Sequence, residues 1–425
     1  MTETTMGATG SPEALPALVP DAQKDLADKP KDAQQVFGRG FSLALVIAAV
    51  IAAAGLVLWG VQLTQGLVLS NMRNLTSWGF YITNFMFLVG LSAGGLIISS
   101  APKVFGIKGF GGIAKIAIWT SVCATVLAIA FVVVDLGQPL RLWELFAYSN
   151  LSSPLMWDII VLTVYLIVSV VYLWATLRTE AGKGSPLALR ALSVIALIAA
   201  ILVHSVTAWI FGLQIGHDLW YTALLAPWFV SSALVCGLAL VLVVVMGLKK
   251  AGYLVLAQEN IIKMVKLLGI FVMVDLYFFG CDLLTAGFPG AEGAAVVAML
   301  TTGALAPFFW IELVSCAAVA IIAFVPSLRT NTLVVIASAL AILAIFCKRV
   351  QLLVGGFQLP NIDLAGPATG PGLTDMGAAT QAMGGAMVYF PSPLEFGLTL
   401  GVFGLGALML LAGLRFLPLK PVDKD

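Results

Sequence analysis

DLGQPLRLWELFAYSNLSSPLMWD, residues Asp135–Asp158, separates two long apolar runs of the sequence. Its charged residues stand out in a chain that has few: Asp135, Arg141, Glu144 and Asp158. A charge at a membrane edge costs little, whereas a charge in the hydrocarbon costs about 2.5–3.5 kcal/mol per residue on insertion scales. The stretch is therefore predicted to be a loop at one membrane face. Asp135 and Asp158 lie at its apolar ends. We therefore expect each of them either to pair with another polar group or to have a function that requires a charge.

The composition is that of a membrane protein. Of the 425 residues, 60% are hydrophobic and 10% are charged, and the mean hydropathy is +1.04. A soluble domain would carry about 25% charged residues, so we predict an all-α polytopic membrane protein. The net charge of +1 argues against nucleic acid as the main partner.

The cysteines and histidines argue against a bound redox cofactor. Five cysteines are scattered through apolar runs without a C-x-x-C pair. That spacing excludes a self-contained cysteine-ligated iron–sulfur or zinc site. Two haems of the cytochrome b type need more histidines than the two of this chain, His204 and His217. We expect no haem, no iron–sulfur cluster and no metal site in this chain.

Apolar windows of about 20 residues are long enough to span a bilayer. By this criterion the sequence predicts about ten transmembrane helices within residues 41–418. The predicted spans lie near 41–62, 78–101, 111–135, 155–178, 187–213, 224–248, 260–287, 296–325, 330–354 and 394–417. Residues 1–40 and 419–425 are predicted tails, the first of them polar and disordered.

The charges of the loops predict the orientation. The two tails and the loops at 102–110, 179–186, 249–259 and 326–329 hold most of the lysines and arginines outside the spans. The positive-inside rule then places both termini in the cytoplasm. We expect a multi-pass protein of the bacterial inner membrane. The opposite, outer loops are longer, and the length of the last, 355–391, suggests contact with a partner.

Polar side chains crowd the outer half of the predicted membrane domain. The group consists of Trp78, Tyr81, Asn84, Asp135, Asp158, His204, Asp275, Asp282, Lys348 and Arg349. A single residue of this kind is usually a packed polar group, but several acids and an imidazole at one depth favour a proton relay or a substrate site. Histidine and buried aspartate can exchange protons near neutral pH. A quinol hydroxyl would need such groups, and aromatic side chains could enclose its ring.

The same distribution suggests a proton path toward the cytoplasm. Asp275, Glu312, Lys266 and Glu259 follow one another inward, with gaps of several turns that would need waters or hydroxyl groups. Glu259 and Lys263, however, have the i,i+4 spacing of a surface ion pair. For Glu259 we prefer that simpler interpretation.

An ordered set of motifs resembles one known family. The motifs are WGFYITNFMFLVGLSAGG (Trp78–Gly95), DLGQPLRLW (Asp135–Trp143), SSPLMWD (Ser152–Asp158), HSVTAWIFG (His204–Gly212), WYTALLAPWFVSSALVCG (Trp220–Gly237), KR (Lys348-Arg349) and YFPSPLEFGLTLG (Tyr389–Gly401). Together they cover nearly all of the chain after residue 40. They resemble the NrfD/PsrC family of membrane quinone-interacting subunits. The ten-helix form is similar to the membrane subunits of quinone reductase complex, alternative complex III and HybB-type hydrogenase.

The resemblance implies an architecture and a ligand. It implies two four-helix bundles plus flanking helices, with bundle one near 78–213 and bundle two near 224–354. The outer loop 355–391 and a last helix, 394–417, follow. Menaquinone or ubiquinone would bind near the periplasmic face of a subunit that lacks haem.

The resemblance also implies site residues and partners. His204, Asp158 and Asp135 are the main quinone-site candidates, with Arg141 and Trp78 at the edge of the site. Asp275 resembles the inner acid of bundle two. The remaining candidates, Tyr81, Asn84 and Asp282, follow from their position in the predicted spans and not from the resemblance. The implied electron partner is a periplasmic four-cluster ferredoxin-type iron–sulfur subunit. That subunit would connect to a molybdopterin-type subunit, a hydrogenase or a multihaem cytochrome c, and membrane lipids would surround the helices.

Two other functions remain open at this point. A secondary transporter or ion-translocating protein also has many helices, Gly-rich spans and membrane acids, but its site is expected near the midplane in broken helices. A structural anchor would leave the membrane charges unexplained. We expect any quinone reaction to belong to a multisubunit oxidoreductase rather than to this chain alone.

Overall fold

The computed structural model describes residues 37–72, 76–106, 111–217, 219–288, 290–358 and 389–419. Within these residues there is no β-strand, and ten helices are long and apolar enough to cross a membrane. They are α1 (Arg39–Gln65), α2 (Phe80–Phe105), α3 (Gly111–Asp135), α4 (Pro154–Glu180), α5 (Pro186–Gly212), α6 (Leu225–Ala251), α7 (Gln258–Gly287), α8 (Ala306–Phe324), α9 (Asn331–Gln358) and α10 (Pro393–Phe416). The prediction of an all-α, multi-pass membrane protein is confirmed.

Helices α2 to α5 pack as a closed ring: α2 contacts α3, α3 contacts α4, α4 contacts α5, and α5 contacts α2. Hydroxyl groups tie three of these helices together inside the ring. Ser92 of α2 lies 2.5 Å from the hydroxyl of Thr125 in α3, and Ser121 of α3 lies 2.7 Å from the hydroxyl of Tyr165 in α4. Such bonds between helices supplement packing where lipid provides no hydrophobic driving force.

Helices α6 to α9 form a second ring of the same kind, and α2 joins it to the first by packing against α6. Gly94 of α2 and Gly237 of α6 face each other at this crossing. A Cβ atom added to Gly94 would lie 2.3 Å from the Cα atom of Gly237. Only glycines at both positions therefore allow the two backbones to approach this closely, as small residues do at membrane helix crossings.

Helices α1 and α10 pack against each other and flank the first ring, where α10 contacts α3. Gly55 and Gly401 meet at the α1–α10 crossing, and a Cβ on Gly55 would lie 2.4 Å from the Cα atom of Gly401. A capping box begins α10: Ser392 accepts a bond from the Glu395 backbone N–H, and the Glu395 carboxylate accepts one from the Ser392 N–H. Each bond satisfies a group that the helix itself leaves free.

One predicted span was wrong. The sequence predicts a single helix over 296–325, but the structure has a short helix, Ala291–Thr301, followed by α8. The N–H of Gly303 donates to the carbonyl of Ala298 at 2.9 Å and closes the short helix. Pro307 lies in the first turn of α8, where its missing N–H costs nothing. Apolar composition continues across the break, so hydropathy alone does not detect it.

Several predictions fall on parts of the chain outside the described residues. Most of the N-terminal tail (1–36), most of the outer loop (359–388) and the C-terminal tail after residue 419 belong to these parts. We call the end of the bundle at which α3 ends and α4 begins the Asp135 face, and the other end the opposite face. Because ten spans alternate in direction, α1 begins and α10 ends at the opposite face.

Candidate functional site

An apolar pocket of about 330 Å³ lies at the Asp135 face, lined by α2 to α5 and the loop after α3. Trp78, Phe85 and Phe211 contribute aromatic side chains to its walls. Asp135 at the end of α3 and Asp158 in the first turns of α4 bring the only carboxylates of its lining. The pocket therefore offers two acids inside an apolar, aromatic enclosure.

Asp158 is a buried carboxylate with a partner from the neighbouring helix. Its side chain is 5% exposed, and the hydroxyl of Thr207 in α5 donates to its Oδ1 atom at 2.5 Å. The same hydroxyl lies 2.8 Å from the carbonyl of Val203, one turn earlier in α5. Thr207 thus fixes the position of Asp158 on the pocket wall.

Asp135 is held differently. Its Oδ1 atom is buried and has no hydrogen-bond partner among the described residues. The adjacent backbone is anchored by Gln62 of α1, whose side-chain amide donates to the Val134 carbonyl at 2.9 Å. Gln62 also accepts a 2.7 Å bond from the hydroxyl of Tyr81 in α2. Gln62 therefore fixes the end of α3 while one carboxylate oxygen of Asp135 stays available.

His204 is fully buried but does not line the pocket. Its Nδ1 atom lies 3.3 Å from the carbonyl of Ala200, and its Nε2 atom has no hydrogen-bond partner in the part of the chain that the structure describes. It precedes Thr207 by three residues, close to one helical turn. Arg349 of α9 is within electrostatic range of its ring. His204 therefore lies about one helical turn below the contact of Thr207 with Asp158, outside the pocket lining and within electrostatic range of the second ring.

Trp78, Tyr81 and Asn84 are brought to the same end of α2, but only Trp78 lines the pocket. The ring centroid of Trp78 lies 5.8 Å from that of Phe211 in an edge-on contact. Tyr81 is turned toward Gln62, and the Asn84 amide donates to the Phe80 carbonyl at 2.7 Å. Tyr81 and Asn84 therefore stabilise the wall rather than form its surface.

Arg141 is on the surface of the loop. It forms a two-pronged ion pair with Glu144, with donor–acceptor distances of 2.8 and 2.7 Å, and its side chain is 69% exposed. The pair raises the pKa of Arg141 and lowers that of Glu144. Arg141 lines a shallow groove beside the pocket, not the pocket itself.

A second buried polar group lies in the ring of α6 to α9. Lys348 of α9 forms an ion pair with Asp275 of α7, and its Nζ atom lies 3.4 Å from a carboxylate oxygen of Glu312 in α8. Ser231 donates to Asp275 at 3.1 Å, and Gln351 donates to Glu312 at 2.8 Å. One lysine thus bridges two acids from two other helices.

Arg349, next to this lysine, turns to a different partner. Its guanidinium donates to the Ser232 hydroxyl at 2.6 Å and lies 3.7 Å from the centre of the Phe229 ring. A cavity of about 40 Å³ adjoins these residues, with Asp282 in its lining. The cavity has room for water but not for a ligand ring.

The inner residues of the predicted proton path are separate from this group. Lys266 and Glu259 are both exposed. Glu259 and Lys263 form the expected i,i+4 ion pair at 2.7 Å, with both side chains exposed. The structure brings Asp275 and Glu312 together through Lys348 but leaves Lys266 and Glu259 outside that contact.

A family model described as "Polysulphide reductase, NrfD" matches residues 68–361. The match covers more than half of the chain. The chain belongs to the NrfD family. The family resemblance that the sequence motifs indicated is thereby confirmed.

The sequence matches to individual relatives extend over most of both chains and are consistent with the NrfD assignment. The chain is 35% identical over 409 residues to a dimethyl sulfoxide reductase membrane subunit proposed for Halobacterium salinarum, covering 91% of this chain and 93% of the relative. It is 24% identical over 422 residues to a selenate reductase subunit of Mesobacillus selenatarsenatis, covering 90% and 95%. It is 25% identical over 385 residues to the Hdr-like menaquinol oxidoreductase integral membrane subunit of Archaeoglobus fulgidus, covering 90% and 94%. These relatives are subunits of oxidoreductases, and the first and third are named as membrane subunits.

The region matched by the NrfD model includes the pocket and the Lys348 group, but not every residue that holds the pocket helices in place. The aromatic wall, the two pocket acids and the Lys348 group lie within residues 68–361. Gln62 and Glu395 lie outside it, on the flanking helices. Glu395 is fully buried and accepts bonds from the Asn71 N–H at 3.0 Å and from the Tyr389 hydroxyl.

Three residues of these networks were not predicted from the sequence. Gln62 ends the predicted span 41–62, and a lone amide at the end of an apolar run was a usable signal. Thr207 was within the HSVTAWIFG motif but has no charge. Glu395 belongs to the pattern S-x-x-E, which marks a capping box.

Proposed function

We propose that this chain is the membrane subunit of a respiratory oxidoreductase complex, and that it binds menaquinone or ubiquinone in the pocket between α2, α3, α4 and α5. The proposal rests mainly on one observation: two carboxylates, those of Asp135 and Asp158, line the same otherwise apolar pocket. A quinone has an apolar ring and two polar oxygens, which matches this lining. The relative from Archaeoglobus fulgidus, named as a menaquinol oxidoreductase subunit, supports the choice of ligand.

The two acids would handle protons. Oxidation of a quinol releases two protons and two electrons, and reduction of a quinone takes up the same. Asp158, positioned by Thr207, would accept or return one proton at its carboxylate. Asp135, with an oxygen that has no hydrogen-bond partner among the described residues, would exchange the other. His204 lies one turn deeper and would act on Asp158 or on a water rather than on the ring.

The electrons would pass to or from a partner at the Asp135 face. We propose a four-cluster ferredoxin-type iron–sulfur subunit there, connected to a molybdopterin-type subunit, a hydrogenase or a multihaem cytochrome c. Support comes from the relatives, which are subunits of multisubunit oxidoreductases. Trp78 and Phe211 would hold the ring next to the surface on which such a partner would sit.

We place the Asp135 face on the periplasmic side of a bacterial inner membrane, with both termini in the cytoplasm. The support is the distribution of cations. The described lysines and arginines at or near the opposite face include Lys103, Arg178, Lys183, Lys249, Lys250 and Arg329. Fluorescent protein fused after Phe416 should therefore fluoresce in intact cells. The orientation would be contradicted if this fusion did not fluoresce and if a reporter enzyme that is active only outside the cytoplasm were active when fused at the same position.

Ion translocation is a second candidate function, favoured by the bridge of Lys348 between Asp275 and Glu312. A proton added to either acid would release the lysine toward the other, which is a two-state element of the kind that a relay needs. Asp275→Asn in the purified complex, reconstituted in vesicles, should lower charge translocation per electron and leave quinol oxidation above half of the wild-type rate. Unchanged translocation would remove this second function.

The proposal of quinone binding is tested by turnover of the purified complex. Asp158→Asn should lower the kcat for menaquinol on the order of 100-fold or more, since positioned acid–base groups contribute about 10²–10⁴-fold. Ser169→Ala is a control on the same helix, because Ser169 is a buried hydroxyl of α4 outside the pocket lining whose bond goes to its own helix. Asp158→Asn turnover equal to that of the control would refute the assignment of this pocket.

A further inference from the structure

The pocket reaches the side of the protein between α3 and α4. Thr163 of α4 is exposed and lines the pocket, and so does Leu155, which is 48% exposed. Across from them, Ile129 and Val133 of α3 line the pocket and are half-buried. We propose that the isoprenoid tail of the quinone leaves the pocket through this side opening and continues into the lipid. This inference rests on the proposed function, because it assigns the tail of the same ligand.

The opening lies at a depth where lipid, not a partner subunit, surrounds the helices. Thr163 follows Asp158 by five residues, and Ile129 precedes Asp135 by six. At a rise of 1.5 Å per residue these positions lie about 7–9 Å below the polar ends of the helices. Hydrocarbon begins near those ends, so the side opening faces acyl chains.

Neighbouring helices leave this side uncovered. Helix α10 packs on a different side of α3, where the Phe131 and Phe403 ring centroids are 6.0 Å apart. Next to Thr163, α4 exposes Ile160, Val164 and Ile167, at 40%, 49% and 58%. These apolar side chains form a lipid-facing surface that runs up to the opening.

The chemistry of the opening suits a hydrocarbon chain. The hydroxyl of Thr163 donates to the carbonyl of Ile159 in its own helix at 2.7 Å, so it presents no free donor. The other edges are Ile129, Val133 and Leu155. Above them, the short helix Glu144–Ala147 of the loop contributes Phe146 and its neighbour Leu145 to the pocket lining. The opening is therefore apolar on both edges and at its upper end.

The size of the pocket requires an exit for the tail. A volume of about 330 Å³ is at the lower end of ligand pockets, which measure about 300–1,000 Å³. It holds a ring and the beginning of a tail, but not a long isoprenoid chain. A tail that leaves at the Asp135 face would enter water, whereas one that leaves between α3 and α4 stays in the lipid.

The inference is tested by closing the opening from either edge in the intact complex. Thr163→Trp and Val133→Trp each place a large side chain in it, from α4 and from α3. The measurement is the ratio of KM for a long-tailed menaquinol to KM for tailless menadiol. We expect this ratio to rise on the order of tenfold, because the added ring occupies the space through which the tail would pass. Ile167→Trp, on the same lipid-facing side of α4 but outside the pocket lining, should leave the ratio at the wild-type value.

Each outcome has one meaning. A wild-type ratio in both variants would overturn the side opening, and so would an equal rise of KM for the two quinols, because the tryptophan would then act on the ring. A rise of the ratio in Ile167→Trp as well would indicate a general effect on lipid contact and would also overturn it. A wild-type complex that oxidises neither quinol would refute the proposed function instead.

Discussion

Thr207 of α5 donates a 2.5 Å hydrogen bond to the buried carboxylate of Asp158 in α4. The bond joins two helices on the wall of the proposed quinone pocket and fixes one of its two acids. Because a buried acceptor that loses its partner costs about 1–3 kcal/mol, Thr207→Val should lower the free energy of unfolding by that amount. We expect menaquinol turnover to fall on the order of tenfold, which corresponds to about 1.4 kcal/mol.

The control for this prediction is Thr207→Ser, which keeps the hydroxyl. It should retain most of the turnover, and the loss of a methyl group should affect stability only slightly. Turnover that falls equally in Thr207→Val and Thr207→Ser would mean that packing, not the hydrogen bond to Asp158, supports the reaction.

The close crossing of α2 and α6 predicts a position-specific effect of one methyl group. In Gly237→Ala the added Cβ would lie 2.2 Å from the Cα atom of Gly94, so the helices must move apart. We expect a loss of about 1–3 kcal/mol, measured as a lower midpoint of thermal unfolding in detergent. Gly247→Ala, on the same helix with no atom near the added Cβ, should be neutral or stabilising by up to about 1 kcal/mol. Equal midpoints for the two variants would contradict the crossing.

The lysine between Asp275 and Glu312 predicts a large stability effect. Lys348→Met leaves two buried acids without their cation, and breaking a buried pair costs about 3–5 kcal/mol. The exposed pair Glu259–Lys263 provides the comparison, since Lys263→Met should cost at most about 1 kcal/mol. Thermal unfolding of the purified protein measures both. A Lys348→Met variant as stable as Lys263→Met would show that the bridge does not stabilise the fold.

A tyrosine before α10 predicts a stability difference that does not depend on pH. Burial and the bond to Glu395 raise the pKa of Tyr389, so its hydroxyl stays protonated and donating across about pH 6–9. A raised pKa adds stability below the ordinary tyrosine value of about 10, and this stability is lost only above it. Tyr389→Phe should therefore cost about 1–3 kcal/mol throughout this range.

The measurement is chemical denaturation at several pH values, with Tyr148→Phe as the exposed control. If the cost of Tyr389→Phe disappeared between about pH 6 and 9, the tyrosine would be losing its proton within the range, contrary to the account.

The class of fold could be predicted from the sequence because membrane spans are read from local composition. Each span is a run of apolar residues whose length is set by the bilayer. The break before α8 could not be predicted in this way. It depends on the turn at Gly303 and on Pro307, inside a segment that stays apolar throughout.

The site was predictable in part for the same reason. Asp135, Asp158 and Trp78 were found because charges and aromatic residues at the ends of spans are conspicuous, and all three line the pocket. The direction in which a buried side chain points was not predictable. His204 points away from the pocket lining, and Arg141 pairs with Glu144 on the surface, because helix rotation and loop conformation depend on packing across the whole bundle.

The central claim, that a quinone ring binds beside Asp158, is tested most directly by photoaffinity labelling. The intact complex would be irradiated with an azido-quinone, and the labelled residues mapped by mass spectrometry, with and without excess menaquinone. We predict labelling of Trp78 or of residues 155–163 of α4, and its loss in the presence of menaquinone. Labelling confined to α6–α9, or labelling that excess menaquinone does not reduce, would contradict the account.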